Sequence, residues 1–229
     1  MRKSRQYSDS LRIGILLTLV GGFLDAYTYL CRGKVFANAQ TGNMVMVAVR
    51  FMEGNFKEVI KYSMPIIAFA IGVLIVNFIK YNVENEKVHW RQAVLVVEMI
   101  FIIAVVFIPQ GKYDHIANVI VSLVCALQLE TFRKFQGNVY ATTMCTGNLR
   151  SATEKLFLFF KTKDKKQLKI AMKYYFIIFI FILGAFIGGY ISLKIGATAV
   201  IFSIIPLILS LMIMGRKEYK EIKVLKIVS

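Results

Sequence analysis

Two short polar blocks carry the residues of this chain that are best suited to binding chemistry. The first ends in Gln40-Thr41-Gly42-Asn43 and the second in Cys145-Thr146-Gly147-Asn148, and each follows a long apolar segment. Gly and Asn tolerate non-helical backbone, and Thr and Asn oxygens can cap helix N–H groups. Each block therefore predicts a helix break that could bind a small solute. The alternative is a surface turn that only caps a short helix.

The predicted substrate site collects the polar residues of both breaks and two residues from neighbouring helices. Its members are Asp25, Asn38, Gln40, Thr41, Gly42, Asn43, Gln128, Thr142, Thr143, Thr146, Gly147 and Asn148. No catalytic residue, metal ligand or cofactor is predicted. The chain has no H-E-x-x-H, P-loop or G-x-S-x-G motif, and its three cysteines form no C-x-x-C pair.

Asp25 lies roughly 20 Å along the first predicted helix by helical rise. A carboxylate inside a membrane span costs about 2.5–3.5 kcal/mol on insertion scales, so such a residue usually has a function. Asp25 could couple a proton or cation, or bind the substrate. The structural alternative places it near the outer interface, paired with Arg32.

The other acids inside predicted helices have simpler structural interpretations. Glu98 could pair with Arg91 or extend towards the interface, and Glu130 is three residues before Arg133, the spacing of a local ion pair. Gln128 is predicted to lie inside the bundle and hydrogen-bond between helices.

The elements that must position these residues are membrane helices. The chain is 57% hydrophobic and 18% charged, whereas soluble domains average about 45–50% and about 25%. A bilayer core needs roughly 20 helical residues. The sequence predicts six long helices over Leu11–Cys31, Val59–Ile79, Ala93–Ile108, His115–Glu130, Ile170–Ile191 and Ala197–Met214, with short segments over Met44–Met52 and Leu149–Phe160. Ser151 and Glu154 are predicted as a capping box for the second short segment, which precedes a basic loop, Lys161–Lys169.

The fold class predicted is an all-α polytopic membrane protein of about six transmembrane helices in two repeats, each with a broken or re-entrant segment. Repeat 1 covers about 11–109 and repeat 2 about 115–214, within a single membrane domain, 1–229, that ends in a basic tail, 215–229. If both short segments are re-entrant, three spans per half make the repeat inverted. If both cross, eight spans make it parallel.

The net charge of +16 is concentrated in tails and loops. The positive-inside rule then predicts that both termini are cytoplasmic, with six or with eight spans. No nucleic-acid motif is present, and the expected partners are the lipid bilayer and a small solute or ion. Gly184, Gly188 and Gly189 form a small-xxx-small pattern, typical of close helix packing within a bundle or in a homodimer. Ala37-Asn38-Ala39 resembles a signal-peptide cleavage site, but the preceding charges favour an uncleaved first helix.

At these blocks the chain resembles the YoaK family of bacterial membrane proteins, a domain of unknown function. The matching residues are Gly21-Gly22-Phe23-Leu24-Asp25-Ala26, Val35 to Asn43, Leu127-Gln128, Thr131, Arg133-Lys134, Ala141-Thr142-Thr143 and Thr146-Gly147. Leu129 departs from the family pattern, where Asn is expected. The resemblance covers nearly the whole chain and implies a bacterial inner membrane, but no substrate or reaction.

Three functions fit these patterns. The first is a small secondary transporter or permease, not an enzyme, with its site at the two Thr-Gly-Asn breaks. The second is a non-transporting scaffold or accessory subunit, whose breaks would be dry and packed. The third is an intramembrane enzyme, for which Asp25, Glu98 and Glu130 are the available acids.

Overall fold

The computed structural model describes residues 10–82, 89–132, 134–135, 138–139 and 145–215. These residues form a helical bundle. Its helices are α1 Leu11–Cys31, α2 Gln40–Met52, α3 Phe56–Asn82, α4 His89–Val106, α5 Asp114–Thr131, α6 Cys145–Thr162 and α7 Lys165–Ile195. A 3₁₀ helix, Gly196–Ser203, then leads into α8, residues 204–215. Two short strands, β1 Lys134–Phe135 and β2 Asn138–Val139, pair antiparallel between α5 and α6.

Three helical segments are long and apolar enough to cross a membrane. They are Leu11–Cys31, Phe56–Tyr81 and Lys165–Gly215. Large apolar side chains such as Phe78, Phe186 and Leu193 are at least 70% exposed on the outside of the bundle. An exposed apolar surface of this kind fits a lipid environment. Six crossings stay a prediction.

Helices α1 and α7 run in the same direction and touch backbone to backbone. A Cβ added to Gly184 would lie 2.2 Å from Leu19 O, and one added to Gly188 would lie 2.7 Å from the Phe23 Cα. Only glycine allows such an approach. The predicted close packing therefore occurs within one chain, and these two glycines are occupied by α1.

Helices α3 and α5 form a second pair with a common direction. A Cβ on Gly72 would lie 2.6 Å from the Ala126 Cβ, and further along both helices the Lys80 Nζ donates to Glu130 Oε1 at 2.7 Å. Helix α5 runs opposite to α1, because Asn118 Nδ2 donates to Arg32 O and Gln128 Nε2 donates to Leu17 O. The two parallel pairs therefore cross the bundle in opposite directions.

The chain folds back after α7. Gly196 has a φ of +67°, and the 3₁₀ helix that it begins packs on α1 and α4 as well as on α7. Leu207 and Met214 of the returning segment are buried in the same apolar core as Ile13 of α1. The core thus includes residues of the first and last helices that the structure describes.

Several predicted boundaries need correction. Helix α1 has the predicted bounds, but α2 and α6 begin four residues earlier than predicted, so both Thr-Gly-Asn sequences lie in first helical turns. Ser151 and Glu154 therefore stand inside α6 and cannot form the predicted capping box. The predicted basic loop is mostly helical, because α7 begins at Lys165 with Asp164 accepting from Lys166 N at 2.8 Å.

Candidate functional site

The break between α1 and α2 is a compact loop held by its own side chains. Gly33 and Lys34 both have left-handed φ values, +79° and +65°, which end α1 and turn the chain. Asn43 then spans the loop, since its Nδ2 donates to Phe36 O at 2.7 Å and to Gln40 Oε1 at 2.9 Å. Asn43 is fully buried, and its role is to fix the loop.

The loop is wrapped around the carboxyl group of Asp25. The backbone N–H of Asn38 donates to Asp25 Oδ1 at 2.7 Å, and the Asn38 Nδ2 donates to Gly21 O at 3.0 Å. The backbone at Ala37 and Ala39 also faces this carboxyl group. Consecutive amides arranged in this way form an anion-binding concavity. The carboxyl group is therefore positioned by backbone dipoles.

Asp25 stands in the wall of a cavity of about 990 Å³. Six segments line it. They contribute Asp25, Ala26, Tyr29 and Leu30 from α1, Phe36, Asn38 and Ala39 from the loop, Gln40, Thr41 and Met44 from α2, Ile66, Phe69 and Ala70 from α3, Cys145, Thr146 and Gly147 from α6, and Phe181, Ala185 and Gly189 from α7. This volume is at the upper end of the range of small-molecule sites, about 300–1,000 Å³.

Six predicted site residues meet at this cavity and four do not. Those on the wall are Asp25, Asn38, Gln40, Thr41, Thr146 and Gly147. Gly42, Asn43, Gln128 and Asn148 are outside the lining; the last three are at most 2% exposed, and Gly42 faces the Phe36 ring. Thr142 and Thr143 lie outside the described residues.

Gln128 binds one helix to another, as its sequence context predicts. Its Nε2 donates to Leu17 O across the α1–α5 contact at 2.9 Å, and the residue is 1% exposed. A buried amide with such a bond stabilises the bundle without contacting a solute in the cavity.

The described lining contains one acidic side chain and no basic one. Asp25 and a few neutral polar groups form one part of the wall, and the rest is aliphatic or aromatic. Such a site can bind the apolar body of a small molecule and hydrogen-bond to one polar end. The apolar wall from α3 and α7 was not predicted; the small residues Ala185 and Gly189, four apart, were its main signal in the sequence.

Arg32 does not pair with Asp25, which corrects the structural alternative for that acid. Arg32 is fully buried at the end of α1, and its Nη1 bonds to Asp114 Oδ1 at 3.1 Å. Its other donors reach Tyr27 Oη and the carbonyl oxygens of Val105, Ile108 and Pro109. The guanidinium group therefore joins the ends of α1 and α4 to the start of α5.

Glu98 is a functional candidate for which the sequence favoured a structural interpretation. It does not pair with Arg91: the residue is fully buried in α4, and neither carboxyl oxygen has a hydrogen-bond partner among the described residues. The buried Cys125 of α5 lies near both Glu98 and Asp25. A partnerless buried carboxyl is costly to ionise, which suits a group that binds and releases a proton.

Glu130 lies apart from Asp25, so the three acids proposed for an intramembrane enzyme do not form one cluster. Glu130 bonds to Lys80 near the end of α3, whereas Asp25 faces the cavity. Arg133, the predicted partner of Glu130, lies outside the described residues. Within the part of the chain that the structure describes, no group of three or more His, Cys, Asp or Glu could hold a metal ion.

Comparison with known proteins gives a consistent picture. Residues 13–213 match the family model described as protein of unknown function (DUF1275). The UPF0700 transmembrane protein YoaK of Bacillus subtilis (strain 168) is 28% identical over 184 residues, which are 75% of this chain and 79% of that protein. No solved structure matches. Together with the apolar helices, these matches identify a membrane protein.

Proposed function

The chain belongs to the DUF1275 family of membrane proteins of unknown function, and from its cavity we propose that it is a small secondary transporter. One observation carries the proposal: the helix starts at the two Thr-Gly-Asn sequences, 105 positions apart in the chain, line one cavity beside Asp25. Paired helix breaks at a shared site are the usual arrangement for substrate binding in secondary transporters.

An inverted repeat is supported by the helix contacts. If α1–α4 correspond to α5–α8, the α1–α7 pair corresponds to the α5–α3 pair, and both pairs pack closely. The contact of α2 with α3 likewise corresponds to that of α6 with α7. Helices α1 and α5 run in opposite directions, as inversion requires. In this proposal the halves are about 11–109 and 115–214.

Six crossings are supported by the short helices. Helix α2 has 13 residues, or roughly 20 Å, against a bilayer core of about 30 Å. Helix α2 begins at the cavity. The chain then continues from its end into α3 close to the end of α1, where Lys61 lies beside Gly33. Helix α6 contains Arg150, Glu154 and Lys155, which disfavours a lipid-facing span. Both are re-entrant in this proposal, and both termini are cytoplasmic.

The lining favours a particular class of solute. Helix starts attract anions, but the described wall has a carboxyl group and no basic side chain. An anion would meet Asp25 without a compensating cation. The substrate proposed is therefore a small amphipathic molecule, cationic or neutral, whose polar end contacts Asp25 and whose apolar part contacts Phe69 and Phe181.

Thiol labelling tests solvent access to the site. Cys31 and Cys125 are buried and Cys145 lines the cavity, so all three are first replaced. Thr41→Cys and Thr146→Cys then replace exposed wall residues on the two short helices. Because both residues line one cavity and a transporter opens it to each side in turn, we expect a membrane-impermeant reagent to reach both cysteines from either side of the membrane.

Lys57→Cys and Lys161→Cys serve as the labelling controls, because both lysines are exposed at helix ends. If both controls react while neither cavity position does, the cavity is closed to water. The scaffold function would then replace the transporter.

Reconstituted protein tests transport itself. Small amines, neutral alcohols and carboxylates are added to proteoliposomes on a solid-supported membrane, and the current or uptake is measured. We expect amines or neutral solutes to give a signal that falls ~10-fold or more in Asp25→Asn, the effect of losing about 1.4 kcal/mol. Ser210→Ala, at a buried serine bonded only within α8, is the control.

A further inference from the structure

The turn between α6 and α7 carries a second groove, about 850 Å³ in volume, far along the chain from the residues around Asp25. Two kinds of side chain line it. The basic ones are Lys163, Lys165, Lys169 and Lys173, and the apolar ones are Phe159, Leu168, Met172 and Phe176. We propose that this groove binds one anionic phospholipid, with the headgroup phosphate on the lysines and an acyl chain on the apolar side chains.

Basic and apolar residues of the groove alternate along the first turns of α7. Lys165, Lys169 and Lys173 are spaced four residues apart. Leu168, Met172 and Phe176 have the same spacing. Residues three and four apart share a helix face. The basic residues begin at the helix terminus, and the face ends at Phe176, within the apolar segment Lys165–Gly215. The groove is therefore basic at the turn and ends in an apolar side chain inside the apolar segment, as the headgroup and acyl chain of a lipid require.

Three of the four lysines are available for an external anion. Lys163, Lys165 and Lys169 are exposed, and none of them takes part in the ion pairs between described residues. Asp164, the one acid of the turn, has an oxygen occupied by the backbone N–H of Lys166. The turn therefore has a local excess of positive charge, and anionic headgroups attract such clusters beside membrane helices.

The apolar side chains exclude a free phosphate as the intended ligand. Met172 is 56% exposed although it stands between lysines, so an inorganic anion would leave its apolar surface uncovered. An acyl chain would cover Met172 and Phe176 while the phosphate contacts the lysines. The combined chemistry selects a phospholipid.

Native mass spectrometry of the detergent-purified chain tests the proposal. The protein is incubated with phosphatidylglycerol, with phosphatidylcholine of the same chains, or with inorganic phosphate. We expect a single retained phosphatidylglycerol, and roughly 100-fold weaker binding in the triple variant Lys163→Gln, Lys165→Gln, Lys169→Gln. Met172→Gln, which leaves every charge in place, should also weaken retention.

The matched control is Lys57→Gln, Lys112→Gln, Lys194→Gln, which removes three exposed lysines outside the groove. It should retain the lipid like the unaltered protein. Equal retention of phosphatidylcholine, equal loss in both triple variants, or displacement of the lipid by inorganic phosphate would each overturn the proposal. If the groove variant fails to fold, Lys165→Gln and Lys169→Gln are measured singly.

Discussion

At the scale of single residues, three buried charged groups have three different environments. Asp25 is held by backbone amides, Arg32 by a carboxylate, a hydroxyl and three carbonyl oxygens, and Glu98 by no hydrogen bond among the described residues. A fully bonded group stabilises a fold, whereas a partnerless one is usually retained for function. Of the three, Glu98 is therefore the residue whose burial is best explained by a function and least by a contribution to stability.

Glu98→Leu should leave the melting temperature unchanged or raise it. Replacing an unbonded buried polar group with an apolar one is neutral or stabilising, because no hydrogen bond is lost. Arg32→Leu is the contrasting variant. It breaks several bonds and removes the partner of Asp114, which costs about 3–5 kcal/mol. Circular dichroism melting in detergent measures both.

A loss of stability in Glu98→Leu equal to that in Arg32→Leu would show that Glu98 has a structural role. If the melting result is as expected, Glu98→Gln is assayed for uptake across a pH series. A proton-binding role predicts that the variant loses the pH dependence of the unaltered protein.

The sequence predicted Asp25 as the central candidate, and the structure places it in the cavity wall, but the sequence could not identify the partners of the buried charges. Asp25 and Arg32 are seven apart, a local spacing that suggests a pair, whereas the actual partner, Asp114, is 82 positions from Arg32. Partners at such distances are set by helix packing, which a single sequence does not reveal. Glu98 was misjudged for the same reason, since its neighbours come from other helices.

At the scale of helices, local bonding explains why α2 starts earlier than predicted. Gly42 and Asn43 disfavour a helix interior, so the sequence places the helix start after them. In the structure Gln40 Nε2 donates to Ala37 O, and Asn43 bonds to both Gln40 and Phe36. These bonds stabilise a first turn that propensity alone would not predict.

Adjacent glycines in α7 offer a matched test of helix contact. In Gly188→Ala the new Cβ would lie 2.7 Å from Phe23, so α1 must move, at a cost of about 1–3 kcal/mol. In Gly189→Ala the nearest atom is 3.5 Å away, and the gain in helix propensity should stabilise by up to about 1 kcal/mol. Melting temperatures of the two variants should therefore shift in opposite directions. Equal shifts would contradict the close α1–α7 contact.

At the scale of the whole molecule, the similarity of the two polar sequence blocks predicted a shared site, and Thr41, Thr146 and Gly147 do line one cavity. The similarity did not predict which other walls would close it. The aromatic and aliphatic lining comes from α3 and α7, whose positions depend on close contacts at Gly72, Gly184 and Gly188. Such contacts depend on the shapes of two helices at once, so hydropathy patterns do not predict them.

Reporter fusions distinguish six crossings from eight. Alkaline phosphatase joined after Gly54 or Gly111 should be active, because with six spans and an inside N-terminus both turns lie outside. With eight spans both turns would lie inside, and the phosphatase would be inactive. A fusion after Lys163 is the control, since it lies inside in either case. Activity of the phosphatase in intact cells is the measurement, and an inactive fusion at both turns would contradict the six-span prediction.

The Arg32 cluster also constrains how the protein is made. Synthesis proceeds from the N-terminus, so α1 emerges with a guanidinium group whose acceptors at Val105, Ile108 and Asp114 are still untranslated. Until the α4–α5 turn arrives, that charge needs water or a lipid phosphate as its partner. The end of α1 must therefore stay at the membrane surface while more than 70 further residues are made. The first helix to insert is thus among the last whose end is covered by neighbouring helices.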